Sequence, residues 1–392
     1  MFFIRKIYPL LIEHSNSELV TVLTGIRRSG KTTLVKQLLL DIKNKNSLFF
    51  DLQRADNREL FDQKNYDSIR EAFLARGLTP DRTMIIALDE IQLSKEIPGV
   101  IKYLSDHYKI KFIVTGSSSY YLKNLFSESL AGRKKIFELY PLDFGEFLNF
   151  KQIPYTSEDW LSNNVNVSEY NRLSNYYEEF VKFGGFPQVV MAQSEAEKHD
   201  LLLDIMSAYI NIDIRSLADF SDERNLYALA KLLASRVGNR IDYSKLASLV
   251  GLSRPTVTNY ISFLEKTYLI NTIGVHTHNT DREIVKARKL YFCDTGLANI
   301  LADISSGSQF ENTVFNQLAR QFNMQYYALK NGQEIDFVLD GKIGVETKET
   351  PVSSDVNSLT SLASTAKLRN IKLVGRRLSP KFDRYAWAGS IV

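Results

Sequence analysis

The stretch that most restricts how this chain can fold is "LVTVLTGIRRSGKTTLVKQLLLDI", Leu19 to Ile42. An apolar run rich in Val and Leu enters Gly25-Ile-Arg-Arg-Ser-Gly30-Lys31-Thr32, and a helical pattern follows without a break. This is G-x-x-x-x-G-K-[ST] in a strand–loop–helix setting. Glycines let backbone N–H groups curl around phosphate oxygens, and the helix that opens at Lys31 turns its positive end toward them. Gly25, Arg28, Ser29, Gly30, Lys31, Thr32 and Thr33 are therefore read as a phosphate cradle. Lys31 is expected on the β- and γ-phosphates of a nucleotide and the Thr32 hydroxyl on Mg²⁺.

A second strand signal, "TMIIALDEIQ", ends in Asp89 and Glu90. At the end of a buried strand, Asp89 is placed to support the hydration shell of Mg²⁺. Glu90 is placed to orient or deprotonate an attacking water. The next apolar strand, "IKFIVTGSSS", ends in Thr115 and Ser117, where a hydroxyl can sense a γ-phosphate. With these residues, 1–150 resembles the AAA-type, archaeal-ATPase-like P-loop family. The resemblance implies a parallel sheet with an extra strand between the two that carry the phosphate loop and Asp89, and ATP hydrolysis. "SLAGRKKIFELYPLDFGEFL" resembles the "GR…L-PL-F-EF" signature of that group. On that basis Arg133 would contact the γ-phosphate in cis or from a neighbouring subunit, which leaves a homo-oligomer open.

From 151 to 222 the pattern is mixed-helical, read as a helical lid on the nucleotide domain, with "KFGGFPQVV" as its one sharp turn. Gly184 and Gly185 permit positive φ, and Pro187 stops a helix from continuing backwards. The "GGFP" element also resembles a linker of the same ATPase family.

Residues 223–300 read as a winged helix-turn-helix. In "YSKLASLVGLSRPTVTNYISFLEKTYLI", Ala247, Gly251 and Val257 fall at helix-turn-helix offsets, and Ser253 is a ready N-cap. Arg254, Thr256, Thr258 and Asn259 are expected outward on the second helix, with Lys286, Arg288 and Lys289 on phosphates. Charge supports a polyanion partner, since the net charge of +4 is unevenly spread. Between Arg224 and Lys289 eleven Lys/Arg stand against four Asp/Glu, a local +7, leaving −3 for the rest. DNA is the expected partner; a protein-docking surface is the alternative.

The last segment, 301–392, opens with a capped helix carrying Glu311 and continues through "QYYALK", "EIDFVLD" and "KIGVETK" as strands. Its α-β-β-β-α-β order, with Glu311, Asp336, Glu346 and Lys348, resembles the PD-(D/E)XK nuclease superfamily. It also resembles a C-terminal domain of unknown function fused to these ATPases. The resemblance implies that Asp336 and Glu346 hold Mg²⁺, that Lys348 positions or activates water, and that Glu311 assists. The leading Pro-Asp of that superfamily is replaced by Glu334-Ile335 before Asp336. Strand parity tests the grouping. If the apolar faces of both strands meet one core, Asp336 should lie across from Glu346. A two-residue Asp340-Gly341 turn would instead pair it with Val345, so an odd-length loop or a bulge is expected.

The fold expected is thus multidomain α/β: a P-loop NTPase sheet, a helical lid, a winged helix and a restriction-endonuclease-like α/β domain. The function expected is a Mg²⁺-dependent ATPase coupled to DNA, with nuclease activity at the C-terminus. The alternative is an ATP-switched DNA-binding or signalling scaffold with an inactive C-terminal domain. No apolar run approaches the roughly 20 residues that span a bilayer. A lone Cys293 rules out an intramolecular disulfide, and a cytoplasmic location follows as the default.

Overall fold

The computed structural model describes residues 2–117, 132–156, 159–162, 165–214, 223–277 and 286–392. Ser129–Ala131 of the arginine-bearing signature and most of the basic loop, 278–285, lie outside the described residues. Among the described residues no helix is long and apolar enough to cross a membrane. The chain forms two compact units. One holds 2–140 with Lys266–Tyr268; the other holds Pro141–Ile214, 223–265 and Leu269–Val392.

In the first unit, strands β1 (Val20–Thr24), β2 (Ser47–Asp51), β3 (Met84–Asp89), β4 (Ile110–Gly116) and β5 (Lys134–Glu138) form a sheet ordered β2-β3-β4-β1-β5. Every pairing is parallel, and β4 lies between β1 and β3, as the resemblance implies. Strands β1, β3 and β4 are buried along their whole length. That is why they read as continuous apolar runs rather than alternating ones. Helices α1 (Tyr8–His14) and α2 (Lys31–Asp41) pack through Leu11, Leu34 and Leu38 on the face that carries Leu23, Ile85 and Ile113. Helices α3 (Ala55–Phe61), α4 (Tyr66–Ala75) and α5 (Ile97–His107) cover Val22, Ile86 and Val114 on the other face.

The second unit is built on a seven-stranded mixed sheet ordered β12-β11-β10-β9-β8-β6-β7. Its strands are β6 (Ile270–Val275), β7 (Lys289–Phe292), β8 (Met324–Ala328), β9 (Glu334–Leu339), β10 (Ile343–Lys348), β11 (Asn370–Gly375) and β12 (Ala386–Trp387). Its helices are α6 (Phe144–Phe150), α7 (Val167–Phe183), α8 (Pro187–Met191), α9 (Glu195–Ala208), α10 (Glu223–Ala234), α11 (Tyr243–Val250), α12 (Arg254–Lys266), α13 (Thr295–Leu301), α14 (Ser306–Leu318) and α15 (Ser353–Thr365).

Two features bear on the expected organisation. From the segment expected as a lid, 151–222, Tyr177 and Phe180 pack inside the second unit. Phe144, Phe147, Tyr177 and Phe180 share one core with Val314, Phe337 and Trp387 of the second unit. Across the boundary expected at 300, β6, expected as a wing strand, pairs with β8 through Gly274↔Gln325 and Val275↔Tyr326. The wing strands and the C-terminal strands are therefore one sheet.

The helix pair forms as its sequence dictates. Gly251 (φ 67°) ends α11 in the left-handed region. The Ser253 hydroxyl accepts from Thr256 N at 3.2 Å and caps α12. Val257 and Tyr260 face inward, while Arg254, Thr258 and Asn259 are exposed and Thr256 is half-buried.

Candidate functional site

At the C-terminal end of β1 the phosphate loop takes the conformation its glycines permit. Gly25 has φ 145°, and a Cβ there would meet Leu139 O at 2.1 Å, so only glycine fits. Arg28 (φ 68°) and Gly30 (φ 101°) also lie in positive-φ regions. The Lys31 ammonium bends over the loop, donating to Gly25 O at 2.8 Å and Ile26 O at 3.0 Å. Arg5 Nη1 holds Ser29 O at 3.0 Å, a brace that no local sequence signal announces. Thr33, the third residue of α2, is exposed.

β3 and β4 deliver the remaining groups. Thr32 Oγ1 donates to Asp89 Oδ2 at 2.7 Å. Thr115 Oγ1 donates to Asp89 Oδ1 and accepts from Glu90 N at 3.1 Å. Burial pushes the Asp89 carboxyl upward, against the opposing pull of the Thr115 and Thr32 hydrogen bonds. Glu90 sits in the left-handed region at φ 58°, a strained backbone for a residue with a Cβ. Its carboxylate accepts from Gln92 Nε2 and lies 3.8 Å from Arg27. Gln92 in turn donates to Ser117 Oγ at 3.2 Å, so Ser117 is in the constellation. Gln92 and Arg27 were not singled out from sequence; the only signal was their proximity to Glu90 and to the loop.

The oxygens of Thr32 and Asp89 are hard ligands of the kind Mg²⁺ prefers. Ser29 Oγ, fully buried in the loop, has no hydrogen-bond partner, as suits a hydroxyl meant for a bound phosphate group. The donor set fits a magnesium nucleotide.

Arg133 lies apart from the phosphate loop. It precedes β5, whose first residue Lys134 pairs with Val20 at the start of β1. The phosphate loop follows the other end of β1, roughly 15 Å away at strand rise. Arg133 pairs with Asp106 in the last turn of α5.

In the second unit the parity argument meets its test. Val345 pairs with Phe337 and Ile343 with Leu339 across the three-residue loop Asp340-Gly341-Lys342. Asp340 (φ 49°) and Gly341 (φ 67°) both take left-handed conformations. The next step of this register sets Asp336 across from Glu346. The Asp336 carboxylate nevertheless turns to Thr347, accepting from its amide at 2.9 Å and its hydroxyl at 2.7 Å. Lys348 Nζ bonds Glu346 Oε1 at 2.6 Å.

Lys289 is a correction. Expected on a DNA phosphate, it is 1% exposed. Its ammonium lies 2.8 Å from Glu334, 3.4 Å from Glu311 and 3.8 Å from Asp336. Tyr291 OH also donates to Glu311 at 2.7 Å. Burial and the Asp336 charge hold the Glu311 carboxyl up near about 7, and the same two causes raise Glu346 to about 7. Lys289, although desolvated, is held above its ordinary value by Glu311, Asp336 and Glu334. Of the other two basic residues, Lys286 is exposed, and Arg288 is exposed with its guanidinium on Thr272.

The fit of this cluster to a divalent ion is poor. Glu346 Oε2 is buried without a partner and could serve as a ligand. The remaining contacts go to protein donors: Asp336 to Thr347 and Lys289, Glu334 to Lys289 and Arg240, Glu346 Oε1 to Lys348. Among the described residues no three His, Cys, Asp or Glu side chains are grouped so that they could hold a metal ion.

A family model described as "AAA domain" matches residues 17–148, and one described as "Domain of unknown function (DUF8612)" matches 174–308. The first match supports a P-loop ATPase of AAA type in the first unit. An uncharacterized protein of Methanocaldococcus jannaschii is 26% identical over 373 residues, covering 90% of this chain and 81% of its own. One from Haemophilus influenzae is 25% identical over 342 residues, covering 84% and 81%. Among solved structures, the Aeropyrum pernix ORC1 protein in complex with DNA is 12% identical with a TM-score of 0.34, covering 77% of this chain and 92% of its own. A STAND protein with a tetratricopeptide repeat sensor from Pyrococcus horikoshii is 13% identical at 0.32, covering 82% and 46%. At these TM-scores the structural likeness carries no argument about function.

Proposed function

We propose that the first unit binds ATP with Mg²⁺ and hydrolyses it, and that the second unit couples this cycle to DNA. The observation that carries the reading is the hydrogen-bonded chain Thr32–Asp89–Thr115–Glu90 at the mouth of the phosphate loop. Lys31 leaves the carbonyls of Gly25 and Ile26 and moves to the β- and γ-phosphates. Thr32 and Asp89 would hold a magnesium ion, which would neutralise charge on the phosphate oxygens. Glu90 takes a proton from the attacking water. Gln92 and Arg27 keep its carboxylate aimed until the nucleotide arrives, and Ser117 reports on the γ-phosphate.

Support for the DNA half comes from the exposed Arg254, Thr258 and Asn259 on α12, with Lys286 and Arg288 exposed beyond β6. Read as a winged helix, α12 enters a groove while the basic residues touch phosphate. No cleavage step is assigned to the acidic cluster, because Lys289, Arg240 and Lys348 pair with its carboxylates.

Glu90→Gln tests the hydrolytic assignment. It should leave ATP affinity intact and lower turnover by about 10²- to 10⁴-fold, read by nucleotide binding and phosphate release on the same sample. Unchanged turnover would remove Glu90 from the mechanism.

A further inference from the structure

The group that decides what the acidic cluster can do comes from outside its hairpin. Lys289 is the first residue of β7, and its ammonium passes over β8, 5.7 Å from the Tyr326 ring centroid. It ends among Glu311 of α14 and Glu334 and Asp336 of β9. Glu334 and Asp336 are two apart on one strand, so they share a face, and α14 brings Glu311 to them. The carboxylates thus converge on a cation of the protein itself.

Burying an ammonium at 1% exposure costs a great deal unless charges surround it. Here three carboxylates do. Arg240 takes the other oxygen of Glu334 at 3.0 Å, and Lys348 takes Glu346. Four acids thus face three bases. A divalent ion entering this cluster would have to displace Lys289 from all three of its partners.

We infer that Lys289 is the resident cation of the second unit, standing where a divalent metal would otherwise sit. The cluster is then a metal-independent element that joins β7, β9 and α14. With the ammonium among them the acids are not grouped to hold a metal ion; removing it should let Glu311, Glu334 and Asp336 draw in around a divalent cation. The inference stands on the second unit alone, so its failure would leave the ATP reading untouched, and the reverse also holds.

The test uses the full chain, stripped of metal and free of nucleotide, with Mn²⁺ as probe. Bound Mn²⁺ is counted by electron paramagnetic resonance, and thermal unfolding is followed in parallel. Wild type and Asp336→Asn should bind Mn²⁺ identically. Lys289→Met should gain one Mn²⁺ and be stabilised by it, by roughly 5 °C at a hundredfold excess over the dissociation constant. Adding Asp336→Asn to Lys289→Met should abolish both gains. A Mn²⁺ ion bound by wild type and lost in Asp336→Asn would overturn the inference. So would a folded Lys289→Met that gains no ion. If Lys289→Met does not fold without metal, the comparison of wild type with Asp336→Asn still decides the matter.

Discussion

At the scale of single residues, the phosphate loop was legible because its chemistry is local. Gly25 shows why the spacing leaves no freedom: its φ of 145° and the 2.1 Å approach of Leu139 O exclude any side chain. Gly25→Ala should destabilise the first unit by about 2–4 kcal/mol, combining strain with overpacking, and should abolish ATP binding. Urea unfolding with nucleotide titration checks both. Lys289 was misread for the opposite reason. Within "KARKLYF" it looks like part of a basic loop, and its nearest acidic partner in sequence, Glu311, lies 22 residues on. Local charge counts cannot tell a solvated lysine from one whose counter-charges arrive through folding.

Among the elements, strand parity carried further than motif matching. The three-residue loop between β9 and β10 followed from the two-residue period of side chains and the need for one apolar core. The pairing of β6 with β8 could not be read, since long-range neighbours in a sheet leave no local trace. The "GGFP" turn proved to have a partner of this kind. Asp294 caps α13, accepting from Leu297 N at 3.1 Å, and accepts from Gly185 N at 2.7 Å. A Cβ on Gly184 would strike its carboxylate at 2.0 Å. Complete burial raises Asp294 to about 6, so the native state holds this proton more tightly than the unfolded chain does. The Asp294 contribution to stability is therefore full at low pH and is lost as pH rises from its unfolded value toward about 6. Asp294→Asn should flatten that dependence. Relative to wild type, the variant should gain about 1–3 kcal/mol between pH 4 and pH 7, as chemical denaturation at the two pH values would reveal. An equal pH dependence in both proteins would contradict the assignment.

For the whole molecule, the sequence points to an α/β nucleotide unit followed by a lid, a winged helix and a C-terminal α/β segment. Helices α6 to α8 and strands β6 to β12 contribute side chains to one core, and a change of pattern along the sequence does not tell which elements pack together. The coupling of nucleotide to DNA belongs at this scale. Removing an exposed cation, by Arg254→Ala, Lys286→Ala or Arg288→Ala, should weaken DNA binding across sequences. Each loss should reduce the slope of log affinity against log salt by about 1. Fluorescence anisotropy over a salt series measures this, and an unchanged slope in all three variants would remove DNA from the account.

The most direct test of the central claim is steady-state ATP hydrolysis with Mg²⁺ by wild type and Lys31→Ala, with circular dichroism to verify that both are folded. The account predicts turnover by wild type and none by the variant. A wild-type protein that neither binds nor hydrolyses ATP, or a variant that matches it, would contradict the claim.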